Sequence, residues 1–175
     1  VDDITISAGA TTGTVSFTPT DDSTYEDDET ANISVSSVSG GSASESGSQS
    51  VTITITENES APTVTLATSA TSIAENAGSS LTLTATLSTA TTADVTVALS
   101  TSGTATEGTD YTDGSGTVDD IVISAGSTTG TVSFTPTDDS IYDATSNETA
   151  TIAVSGVSGG SATESGSQSV TITIT

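Results

Sequence analysis

Lysine, arginine and histidine are all absent from this 175-residue chain, while 23 aspartates and glutamates give it a formal charge of -23. A surface of one sign repels phosphate backbones and anionic lipid, which excludes nucleic acid and direct membrane insertion as partners. Cysteine, methionine and tryptophan are missing too. Without cysteine no disulfide can staple a small core, and the redox state of the compartment leaves no mark on the sequence. The same absences remove the usual nucleophile, proton shuttle and Schiff-base amine, and no glycine-rich phosphate loop opens a helix, so the chain reads as non-enzymatic with no catalytic residues. Paired carboxylates can hydrolyse glycosides, but such sites need a cleft with aromatic platforms. The whole chain holds three tyrosines and two phenylalanines. Tyr25, Tyr111 and Tyr142 lie beside acidic segments and, with Phe17 and Phe134, read as packing residues. No apolar run approaches the roughly 18 residues of a membrane span, and no signal peptide is present. The abrupt start, Val1-Asp2-Asp3, reads as a window cut from something longer.

What is abundant is serine and threonine, about 40% of the residues, a composition shared with disordered mucin-like stalks. Periodicity argues for a fold instead. Valine, isoleucine and leucine recur at every second position, as in Val51-Thr52-Ile53-Thr54-Ile55-Thr56 and Leu81-Thr82-Leu83-Thr84-Ala85-Thr86-Leu87. That period of two sends one face inward and leaves threonine, a good strand former, on the other.

The chain repeats itself. Residues 1–56 match 118–175 almost throughout, about 46 of 56 positions being identical, which sets a repeat of about 119 residues. Residues 1–56 are then the C-terminal half of one repeat, 57–62 a linker stiffened by Pro62, and 63–175 a complete repeat. Seven strand candidates fall near 63–67, 80–88, 93–101, 118–123, 129–136, 148–155 and 167–175, separated by Gly, Ser and Asp clusters. Seven short strands without a helical period predict an all-β chain of tandem immunoglobulin-like, seven-stranded antiparallel β-sandwiches. Gly-rich turns at Val38-Ser39-Gly40-Gly41-Ser42 and Val157-Ser158-Gly159-Gly160-Ser161 supply hairpin connections. Half a sandwich exposes strand edges and one core face, so residues 1–56 are expected to pair with a missing upstream half or with a neighbouring copy.

The densest charge is Asp21-Asp22-Ser23-Thr24-Tyr25-Glu26-Asp27-Asp28-Glu29, which returns as Asp138-Asp139-Ser140-Ile141-Tyr142-Asp143 followed by Glu148. Each copy joins two alternating segments, Thr14-Val15-Ser16-Phe17 preceding the first and Ala31-Asn32-Ile33-Ser34-Val35 following it. Carboxylates crowded into one loop repel unless a cation sits among them, and this chain has no cationic side chain to offer. Hard oxygen donors favour Ca2+. The competing reading is a solvated, solubilising face. Asp2-Asp3 and Asp119-Asp120 precede strands at turns and read as turn chemistry.

Four ordered segments resemble the Calx-beta motif: Ser72-Ile73-Ala74-Glu75-Asn76-Ala77-Gly78, Gly103-Thr104-Ala105-Thr106-Glu107-Gly108-Thr109-Asp110-Tyr111, Ile123-Ser124-Ala125-Gly126, and Val132-Ser133-Phe134-Thr135-Pro136-Thr137-Asp138-Asp139. The family includes calcium-binding regulatory domains of sodium/calcium exchangers and repeats of large bacterial surface proteins. The resemblance implies a sandwich that holds calcium at one end through loop carboxylates. By matched position the implied ligands are Glu75, Asp110, Asp138, Asp139, Asp143 and Glu148 in the complete repeat, and Asp21, Asp22, Glu26 and Glu29 in the preceding one. Glu57 and Glu59 lie where family members often carry an acidic run. The second loop departs from the first: Asp143 stands for Glu26, and Ala144-Thr145-Ser146-Asn147 replaces Asp27-Asp28.

Together these readings describe a calcium-stiffened extracellular repeat, the body of a filament, stalk or matrix fibre of a bacterial cell-surface protein or adhesin, whose partners are neighbouring repeats or copies of itself. A calcium-dependent module binding a host-surface or matrix ligand is the alternative, and a calcium sensor a third reading.

Overall fold

The computed structural model describes residues 1–113, 117–139 and 147–175. Its strands in chain order are β1 (Thr24–Tyr25), β2 (Glu29–Ser34), β3 (Ser50–Ile55), β4 (Thr63–Thr68) and β5 (Ser72–Ile73). They continue with β6 (Leu81–Leu87), β7 (Ala90–Thr91), β8 (Val95–Gly103), β9 (Tyr111–Thr112) and β10 (Ile121–Ile123). The last four are β11 (Thr129–Pro136), β12 (Glu148–Ser158), β13 (Thr163–Glu164) and β14 (Ser169–Ile174). No helix among the described residues is long and apolar enough to cross a membrane. The chain divides into a larger unit, Ser23–Asp27 with Glu57–Thr175, and a smaller one, Val1–Asp22 with Asp28–Thr56.

In the larger unit two five-stranded sheets face one another, ordered β10-β8-β12-β14-β5 and β13-β4-β6-β11-β9. The alternation seen in sequence decides the inward face. Val64 and Leu66 of β4, Leu83, Ala85 and Leu87 of β6, Val95 and Val97 of β8, and Ile121 and Ile123 of β10 are buried, while their threonine neighbours are mostly outside. Each Val, Leu or Ile withdrawn from water contributes about 1.5–3 kcal/mol. The core is otherwise lean, and its one described aromatic pair is Tyr111 stacked on Phe134, centroids 4.6 Å apart.

All seven sequence-predicted strands are present, with shifted ends. The principal ladders are antiparallel, as expected, but each sheet gains one parallel edge. The first and last strands are each broken in two, so that β5 runs parallel to β14 and β4 parallel to β13. One break lies at Ser69-Ala70-Thr71, where the chain leaves one sheet and joins the other; this lets both sheets share the terminal strands. β12 carries a bulge between Val154 and Gly156.

The smaller unit keeps the β2–β3 ladder, Glu29 opposite Ile55 through Ser34 opposite Ser50. That is the register of β12–β14, Glu148 opposite Ile174 through Ala153 opposite Ser169. The alternating Thr14-Val15-Ser16-Phe17, expected as a strand, is not one. Its counterpart β11 is a strand because β6 and β9 flank it, and the smaller unit contains no such partners. Ile4 and Ile6 are 56% and 57% exposed there, whereas their counterparts Ile121 and Ile123 are fully buried, which measures what the covering strands contribute.

Candidate metal site

One end of the larger unit collects most of the carboxylates implied by the resemblance. β11 runs out at Pro136 into Thr137-Asp138-Asp139, and its last pair, Pro136 with Tyr111, sets Asp110 beside that exit. The Thr137 amide donates to the Asp110 carbonyl at 2.9 Å. From the other sheet, the Glu75 amide donates to the carbonyl of Thr175 at 2.9 Å, just beyond the β5–β14 edge. Glu148 opens β12 opposite Ile174 on the same side. A bond from the Asp139 amide to Glu75 Oε1, 3.1 Å, ties the two sheets' loops together.

These side chains already have work to do. Asp110 Oδ2 accepts the Thr106 amide at 2.6 Å and closes the turn that presents Tyr111. Tyr111 is 1% exposed; burial pushes its hydroxyl pKa up, against a hydrogen bond with Thr101. Asp138 and Asp139 lie exposed, while Glu75, Asp110 and Glu148 are half-buried. As donors they fit calcium in kind, each offering hard carboxylate oxygen. In position they are spread out: among the described residues no three acidic side chains gather closely enough to hold a metal ion. Asp143 lies outside the described residues, as does Tyr142.

The first acidic loop is divided. Asp21, Asp22 and Glu29 belong to the smaller unit and Glu26 to the larger. Glu29 opens β2 as Glu148 opens β12. The Glu26 amide donates to Glu57 Oε2. Glu57 Oε1 takes the amides of Asn58 at 2.8 Å and Glu59 at 2.7 Å. Three amides on one carboxylate favour its charged form, so the Glu59 and Glu26 hydrogen bonds hold the Glu57 pKa below its ordinary value. Glu57 thus ties together the backbone of Glu26, Asn58 and Glu59, a role its place in an acidic run did not reveal.

Glu107 was given no role by sequence reasoning. Glu107 accepts the Thr101 hydroxyl at 2.8 Å and the Val118 amide at 2.5 Å, fastening the long β8–β10 connection. Its place in the Gly103–Tyr111 segment was the available signal. Asp120, expected to serve a local turn, instead accepts the Leu99 amide of β8 at 2.9 Å, a bond across to a neighbouring strand. Asp119 differs: the charge of Asp113 and a hydrogen bond shared with it raise the Asp119 pKa.

The fold and this loop cluster define a class: two-sheet β-sandwich repeats with acidic loops gathered at one end. The Calx-beta domain profile matches residues 2–59 and again 57–175, and the chain belongs to the Calx-beta family. Domains of this family are non-catalytic β-sandwiches, often calcium-binding and typically extracellular or membrane-exposed. A search of curated proteins returned no match.

Proposed function

We propose that this chain is a structural repeat, a calcium-stiffened extracellular sandwich that forms the body of a filament, stalk or matrix fibre of a bacterial surface protein. The observation that carries the reading is the near-identity of 1–56 and 118–175, down to the same hairpin register. Modules selected for separate ligands diverge in their loops and faces, whereas a spacer needs only the same unit again. The charge of -23 with no cationic side chain supplies the need for calcium.

In the complete repeat Glu75, Asp110, Asp138, Asp139 and Glu148 are the side chains that would hold the ion. Calcium supplies divalent charge that cancels their repulsion. The protein's own contribution is to hold the loops in reach, through the Glu75–Asp139 and Asp110–Thr137 hydrogen bonds. Binding to the folded chain alone raises its stability by mass action. The expected result is a higher Tm in millimolar calcium than in excess chelator, a range typical of extracellular modules at about 0.1–1 mM affinity. Superimposable melting curves, with no heat on calorimetric titration, would remove calcium from this reading.

A further inference from the structure

The larger unit contains one strand pairing that neither sheet of the sandwich uses. β1 lies parallel to β7, Thr24 beside Ala90 and Tyr25 beside Thr91. β7 bridges β6 and β8 without joining either five-stranded sheet. It is held firmly from behind. The carbonyl of Thr91 accepts the Gly126 amide at 2.8 Å, and its hydroxyl donates to the Ala93 carbonyl at 2.6 Å. Thr91 is 2% exposed, a polar side chain sealed into the fold.

What seals it is the turn at Gly159-Gly160-Ser161. A methyl group at Gly160 would come within 2.7 Å of the Thr91 hydroxyl, and one at Gly159 would strike the Asp94 carbonyl. Both glycines also have positive φ, so the turn presses on the segment after β7 as closely as a backbone can. Between them Thr92, Ala93, Gly160 and Ser161 leave a recess, and Tyr25 and Glu26 line its remaining side. Tyr25 is half-buried there. The next residue is fixed too, its amide bound by the Glu57 carboxylate.

The geometry points to an acceptor site: β7 and the Gly159–Ser161 turn receive the Ser-Thr-Tyr-Glu segment of an adjoining repeat's acidic loop as an added parallel strand. Strand addition is a common recognition mode, in which main-chain bonds give attachment and a side chain in a pocket gives specificity. Two residues of ladder are too few to hold alone. The half-buried tyrosine that walls the recess and the Glu26 amide bond to Glu57 add the contacts that two ladder residues lack. This deepens the structural-repeat reading and rests on its tandem order, but not on calcium.

A cysteine-free chain makes the test direct. In the full chain, Thr24→Cys with Ala90→Cys puts thiols on directly paired residues, at a separation a disulfide can bridge. Thr24→Cys with the exposed Val122→Cys is the control. In excess EDTA, the first pair is expected to close within monomers at least tenfold faster than the control, and adding Tyr25→Ala to erase most of that advantage. Equal closure rates for the two pairs, or closure indifferent to Tyr25→Ala, overturns the proposal. Hydrogen exchange on the cysteine-free protein guards against misfolded variants: amides of residues 90–93 are expected to be protected, and freely exchanging amides there also overturn it. Failure of calcium to raise the Tm leaves this result standing, and failure of the cross-link leaves the calcium reading standing.

Discussion

Glu57 is half-buried and Asp119 exposed, and their neighbours push these two acids in opposite directions. Backbone amides of Glu59, Glu26 and Asn58 surround Glu57 and lower its pKa, while the Asp113 carboxylate beside Asp119 raises its pKa. The consequences for stability differ in sign. Glu57 stabilises the fold above its ordinary value of 4.5, and that contribution is lost as pH falls through the depressed folded value. Asp119 is the reverse: its protonated form suits the fold, so its contribution is complete below the ordinary 3.8 and is lost as pH rises through the elevated folded value. Carboxyl carbon resonances followed through acid titration should show Glu57 half-protonated below 4.5 and Asp119 above 3.8, and Asp113→Asn should return Asp119 toward ordinary behaviour. Matching midpoints unaffected by Asp113→Asn would contradict these assignments.

Among the elements, β11 does the most to position the candidate site, because its end delivers Asp138 and Asp139 while Phe134, two residues before Pro136, anchors it beneath. Phe134 is fully buried and stacks on Tyr111, whose preceding residue is Asp110. Phe134→Ala should therefore cost about 3–5 kcal/mol, the range for a buried aromatic truncated to a methyl. Urea unfolding monitored by circular dichroism checks this, and a loss under 1 kcal/mol would show that the stack does not support the end of the sheet. Phe134 and the long strands were legible in sequence because a period of two marks which face is wet. The split of the first strand into β4 and β5 was not, since alternation names a face and never a partner. β1 and β7, two residues each, have no period at all. Their meeting depends on a glycine turn some seventy residues away along the chain, whose need for glycine is visible only once Thr91 and Asp94 lie under it. The acidic loops were legible in residue type, but the spacing of their carboxylates was not, because backbone amides take those oxygens, as Thr106 does on Asp110 and Asp139 on Glu75.

At the scale of the whole molecule, the two copies of one sequence form an internal control on what stabilises a half-repeat. β2–β3 and β12–β14 have the same register, and Val35–Gln49 and Val154–Gln168 close the ladders with amide-to-carbonyl bonds of 3.0 Å in each. Even Gly13 approaches the Thr5 carbonyl as Gly130 approaches that of Val122. Local structure is thus encoded within the half. Burial is not: Val51 is 54% exposed, while its counterpart Val170 packs against the core. Since the ladders are equal, any difference in opening free energy measures the cover that β4, β6 and β8 provide to the second copy. Hydrogen exchange of the full chain should find the β2–β3 amides at least a hundredfold less protected than the β12–β14 amides, a gap of roughly 2.7 kcal/mol at 25 °C. Equal protection would mean that the exposed isoleucines and valines of residues 1–56 are covered in solution by another chain, and analytical ultracentrifugation would then show an assembly in place of a monomer.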